Sequence, residues 1–232
     1  MEHTYAASGK YIIKIWGKDY FALSHYLTLY DKTLSNDTNL VCRVLDKDLP
    51  IASHLVNLSN LFPMSKRLLR VNAPGSSYIN QASNFSWLFK GCPNLLSVKG
   101  FDRPYQTCRS ILRMFADCTN MVICDMVLPM YMTHDRGYER AFENCSSWIR
   151  DVGTLFPALG FLNQTVMFNR TFYGCANLTG TVPSELLWER VDKDWLNTSE
   201  AFAGCTNLIA QVPISWGGSS EEIVVPTRTS KE

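Results

Sequence analysis

A phenylalanine, a cysteine three residues on and a large apolar residue three further recur five times in this chain of 232 residues. The blocks start at Phe89, Phe115, Phe142, Phe172 and Phe202, with cysteines at Cys92, Cys118, Cys145, Cys175 and Cys205. The third positions are Leu95, Met121, Trp148, Leu178 and Leu208. Successive cysteines are separated by 26, 27, 30 and 30 residues. A period of this length is the mark of a repeat array, in which one unit cannot bury its own apolar face and leans on the next. It makes a column of Phe and Cys the expected structural core.

Two degenerate copies precede the clear ones. Phe62 to Leu68 has Ser65 in place of cysteine, and Leu34 to Leu40 repeats the Thr-Asn-Leu of the last block. The array is therefore expected over residues 34–216. An apolar residue stands four before each phenylalanine (Leu58, Phe85, Ile111, Tyr138, Phe168). Residues four apart share a helix face, so the spacing predicts a short helix ending near Gly91, Gly174 or Gly204, with Asn163 and Ser199 as N-caps. A short apolar run follows each block, as in Leu95–Val98 and Met121–Cys124, then a proline. Each run predicts one short strand stopped by the missing proline amide. The fold class expected is α/β: a solenoid of about six helix–strand repeats of 26–30 residues.

The order Phe-x-x-Cys-x-x-Leu, strand, proline resembles the leucine-rich repeats of the bacterial surface-antigen (BspA-like) type. The resemblance implies a leucine-rich-repeat solenoid and leaves function open, because such arrays hold many partners.

The ends differ from the array. His3, Tyr5, Gly9 and Tyr11 precede an alternating run through Ile15 and Trp16. That string is similar to the last hairpin of polycystic-kidney-disease-like β-sandwich modules. Residues 1–33 are expected to form a β-hairpin cap over the first repeat's edge or to add as a strand to a partner's sheet. Residues 217–232 begin Gly-Gly-Ser-Ser and are expected to be a flexible tail.

The net charge is +1 with no basic stripe, so the electrostatic footprint of nucleic-acid binding is missing. No apolar run is long enough to span a membrane. The start, Met1-Glu-His-Thr-Tyr5, has neither the basic nor the apolar segment of a secretory leader. Three explanations stand: a trimmed precursor, export by another route, or a bacteriophage virion protein released by lysis. The cysteines of the repeat are expected to be reduced and packed as small hydrophobes. Bridges between rungs are disfavoured, since stacked helices lie about 8–10 Å apart and a disulfide needs Cα atoms within about 7 Å. Cys42, Cys108 and Cys124 lie off the column, and reduced thiols fit assembly in a cytoplasm.

No catalytic, metal or cofactor site is expected. There is no Cys-x-x-Cys, and the four histidines (His3, His25, His54, His134) are scattered. Asp125, Asp151 and Glu185 are read as solvated charges rather than as a carboxylate pair. The sequon asparagines, such as Asn144 and Asn177, are read as turn chemistry.

The binding face is expected on the strands, at Arg70, Lys99, Asp125, Arg150, Asp151, Thr179, Thr181 and Gln211. That set is mixed in charge and names no ligand. Trp188, Trp195 and Trp216 are read as core packing, with a partner-binding hot spot as the alternative. The function expected is a non-enzymatic structural and binding protein on a bacteriophage virion, contacting other virion subunits or a host surface. The alternative is a bacterial cell-surface adhesin.

Overall fold

The computed structural model describes residues 44–46, 58–60, 62–66, 68–72, 83–102, 108–129, 132, 134–156, 166–189, 195–209 and 211–221. The hairpin expected over residues 1–33 and the faint unit at residues 34–40 lie outside these, as does the tail after residue 221. Among the described residues there are eight short strands: β1 (Val44–Asp46), β2 (Arg70–Asn72), β3 (Ser97–Lys99), β4 (Ile123–Cys124), β5 (Arg150–Asp151), β6 (Val166–Met167), β7 (Leu178–Thr179) and β8 (Trp195–Asn197). All pairings are parallel. The order β1-β2-β3-β4 makes one sheet, and β5-β7 and β6-β8 make two smaller ones. Equivalent positions of successive units face each other, as in Arg70–Ser97–Ile123 and Val71–Val98–Cys124.

The helix–strand leucine-rich-repeat architecture does not form. Among the described residues the longest helical element is the four-residue 3-10 turn Val152–Leu155; the others are Ser184–Leu186 and Ile214–Trp216. Where a helix was expected, each unit folds as a ribbon of overlapping turns. Within residues 85–92, Leu88, Lys90 and Cys92 donate their amides three residues back, to Phe85, Trp87 and Phe89. The amides between them point to the next unit. Phe85, Trp87, Phe89 and Gly91 donate to the carbonyls of Ser110, Leu112, Met114 and Ala116. Half of the ribbon's amides are thus spent between units, whereas a helix would spend them along the chain.

Positive φ marks every ribbon at two places, two residues before and two after its phenylalanine. The pairs are Asn60/Met64, Trp87/Gly91, Arg113/Asp117, Arg140/Asn144, Arg170/Gly174 and Glu200/Gly204. The second place holds mostly Gly, Asn or Asp, which enter the left-handed region most easily. At the first place Trp87, Arg113, Arg140, Arg170 and Glu200 carry large side chains there. Such a conformation persists only when the surroundings over-determine it; here the bonds to the next unit do so.

The ribbons bury one side. Leu58, Phe85, Ile111, Tyr138 and Phe168 are buried with the phenylalanines four residues on. Phe62, Phe89, Phe115, Phe142, Phe172 and Phe202 form a single stacked column, with neighbouring ring centroids 5.9, 5.4, 5.3, 5.6 and 5.3 Å apart. Trp216 continues it, 6.4 Å from Phe202. Its carbonyl accepts the Phe202 amide at 2.9 Å, as the next unit's carbonyl does elsewhere. Gly217 and Gly218, assigned from sequence to the tail, pack here on the last ribbon: a Cβ on Gly218 would lie 1.8 Å from the Val212 carbonyl oxygen. Among the described residues no helix is long and apolar enough to cross a membrane.

Candidate functional site: the outer strand face

The column cysteines are held in one repeated geometry. Cys92 donates its thiol to the Phe62 carbonyl at 3.1 Å, Cys118 to Phe89 at 3.1 Å and Cys145 to Phe115 at 3.2 Å. Cys175 reaches Phe142 at 3.0 Å and Cys205 reaches Phe172 at 3.1 Å. The described cysteines are all free thiols. Burial pushes the thiols of Cys92, Cys108 and Cys124 up to about 12 and raises those of Cys118, Cys145 and Cys205. A protonated thiol shielded in this way is a poor nucleophile and a poor metal ligand. The expectation that helix spacing keeps these sulfurs apart loses its premise, because among the described residues the column cysteines sit in turn ribbons and not in helices. Their hydrogen bonds instead aim each sulfur at a carbonyl.

The charged residues expected to read a ligand are largely engaged with their own backbone or near neighbours. Asp125 is half-buried and accepts the amides of Gly100 and Phe101 at 2.7 and 3.0 Å. It stitches unit to unit. Arg150 donates from Nε to Thr154 Oγ1 at 2.8 Å, and Asp151 accepts the Gly153 amide at 2.9 Å. Thr179 lies opposite Asp151 across the β5–β7 pair and donates to the Arg150 carbonyl at 3.4 Å. Thr181 and Gln211 are exposed, and Ser220 lies at hydrogen-bond range of Gln211, 3.5 Å. Arg70 and Lys99 are exposed and, among the described residues, make no ion pair.

The residues the structure does bring together were not singled out from sequence. Leu96, Val122 and Ile149 occupy the same place in three successive units, seven residues after their phenylalanines. Their backbones join in series: Leu96 donates to Leu69 at 2.8 Å, Val122 to Leu96 at 3.0 Å and Ile149 to Val122 at 3.1 Å. All three side chains are exposed, Ile149 by 62 %, and Ile123 stands exposed beside them. Ile209, at the same place in the last clear unit, is 79 % exposed. The signal was present in the sequence as an apolar residue directly after each buried one. Leu95, Met121 and Trp148 are fully buried and Leu208 is partly so, while the residue after each turns outward.

Trp188 and Trp216 are core residues, at 3 % and 1 % exposure. The side chain of Trp195 lies outside the described set. Among the described residues no three His, Cys, Asp or Glu side chains gather as a metal site. No family model, no curated protein and no solved structure matches this chain.

Proposed function

We propose that this chain is a non-catalytic structural and binding protein that docks on another protein through its outer strand face, in the setting of a bacteriophage virion. The observation that carries the binding reading is the exposed aliphatic row Leu96–Val122–Ile149, just before β3, β4 and β5, with Ile123 of β4 beside it and Arg70 of β2 and Lys99 of β3 exposed on the same sheet. Apolar side chains aligned on one face, with charge beside them, are typical of a protein contact rather than of a surface that stays wet. The non-catalytic reading is supported by the protonated buried thiols and by carboxylates spent on backbone amides. The virion setting is supported by the free thiols, which suit folding in a reducing compartment.

Two measurements test it. Mass spectrometry of purified particles from the source should find the chain at a fixed ratio to the major structural proteins. Detection only in a cell-envelope fraction would replace the virion by a cell surface. The double variant Ile123→Asp with Ile149→Asp should keep its melting temperature and lose association with the partner recovered by crosslinking. Unchanged association would remove the strand face from the reading.

A further inference from the structure

The outer side of the turn ribbons carries a second surface, made of charge. Arg140 and Arg170 stand two residues before their phenylalanines, in the same place in adjacent units. Each is served by two carboxylates. Arg140 lies 3.7 Å from Glu139 and 3.7 Å from Glu143, and Arg170 lies 3.2 Å from Glu143 and 3.5 Å from Glu200. Glu139 also accepts from Arg136 Nη2 at 3.0 Å, and its carboxyl is held below the usual range by that bond.

Arg113 holds the same place one unit earlier, with the same left-handed backbone at φ 50°. Its own unit places no acid at the two matching positions. Leu112 and Ala116 stand where the next unit has Glu139 and Glu143, and both are buried and apolar. Glu139, in the following unit, feels the charge of Arg113 but pairs within 4 Å with Arg136 and Arg140 instead. Among the described residues Arg113 makes no ion pair, whereas Arg140 and Arg170 do; the Nε of all three is buried without a hydrogen-bond partner, so the missing acid is what sets Arg113 apart. One unit earlier again, the place of Glu143 is taken by Lys90, which also makes no ion pair among the described residues, and the place of Arg113 by Trp87.

We infer that Trp87, Lys90 and Arg113 form a receptor for a carboxylate of a partner protein, an Asp or Glu side chain flanked by apolar residues. The carboxylate would lie between the Lys90 ammonium and the Arg113 guanidinium, as Glu143 lies between Arg140 and Arg170, with the guanidinium fork suited to bidentate contact. The Trp87 ring supplies apolar surface beside it. This surface is separate from the strand face, and its test does not depend on that reading.

The probe is a fluorescein-labelled hexaglutamate peptide, followed by anisotropy at low salt, with hexalysine, inorganic sulfate and a short single-stranded DNA as comparators. Saturable binding of hexaglutamate is expected, weaker by about tenfold in Arg113→Gln and in Lys90→Gln. It should be unchanged in Lys99→Gln, on the strand face. Arg113→Gly removes the side chain while relieving the left-handed backbone, so it stays folded and should also lose binding; Arg113→Lys should recover only part. The inference is overturned if hexaglutamate does not bind, if the Arg113 and Lys90 variants bind it as well as the parent, or if the DNA competes for the same residues more tightly than the peptide does.

Discussion

The thiol of Cys118 donates to the carbonyl oxygen of Phe89, 29 positions earlier in the chain, at 3.1 Å. That same carbonyl already accepts the Cys92 amide at 3.2 Å. A carbonyl has two lone pairs, and this one uses one for its own turn and one for the next unit. The cysteine is therefore a cross-unit stitch as well as a small hydrophobe, and the contact repeats at every clear copy of the motif.

Replacing Cys118 by alanine removes the sulfur from a fully buried site and the donor from Phe89. We expect a loss of about 1–3 kcal/mol in urea unfolding. Cys118→Ser keeps a donor of similar reach, as Ser65 does at this place in an earlier unit, and should cost no more than the alanine. If serine proves much worse than alanine, the thiol contributes only volume.

Stability should fall at alkaline pH, and the sign follows from burial. Cys92, Cys108 and Cys124 titrate near 12 when folded, against 9.0 for a free thiol. Below pH 9 both states hold the proton and nothing is lost. Between 9 and 12 the unfolded chain releases protons that the folded chain keeps, so each such cysteine removes about 1.4 kcal/mol per pH unit. Urea midpoints should be level to about pH 8.5 and then drop steeply. The drop should be shallower in Cys92→Ala, and a level profile to pH 11 would contradict the burial.

Phe142 stacks on Phe115 at 5.3 Å, Phe172 at 5.6 Å and Trp148 at 4.5 Å. Phe142→Ala opens a void in the middle of the column and should cost about 3–5 kcal/mol, enough to unfold much of a domain of ordinary stability. Trp216→Ala acts at the end, where the ring caps Phe202. It should expose the last units to hydrogen exchange while leaving the amides of Phe115 and Phe142 protected. Uniform loss of protection across all units would argue for a single cooperative block.

Gly174 sits at φ 73°, and a Cβ there would meet Asn144 Oδ1 at 3.0 Å. Gly174→Ala is expected to cost about 1–2 kcal/mol from backbone handedness alone. Asn144→Gly, in the same left-handed conformation one unit earlier, should cost less than this. It loses only the hydrogen bond to Asp117 at 2.8 Å. Thermal melts of the two variants side by side check the order.

The sequence by itself determined the repeat, its period and which side chains face inward. Phe, Cys and the apolar residues three and four positions away are buried because they recur, and a unit of fewer than about 30 residues cannot cover them alone. It did not determine how the backbone carries them. A helix returns to the same face after about 3.6 residues, and the turn ribbon places positive φ at four-residue spacing, as at Trp87 and Gly91, so the apolar pattern is common to both. Gly91, Asp117, Asn144, Gly174 and Gly204 were the discriminating letters, since they sit where φ is positive in every unit. Read one unit at a time, Gly91, Gly174 and Gly204 look like helix ends. Only the tertiary structure decides between the two, because the amides that would have closed a helix are claimed by carbonyls about 25 to 30 residues away. The same long reach exposed the aliphatic row and left Arg113 without an acid, and neither follows from a single unit.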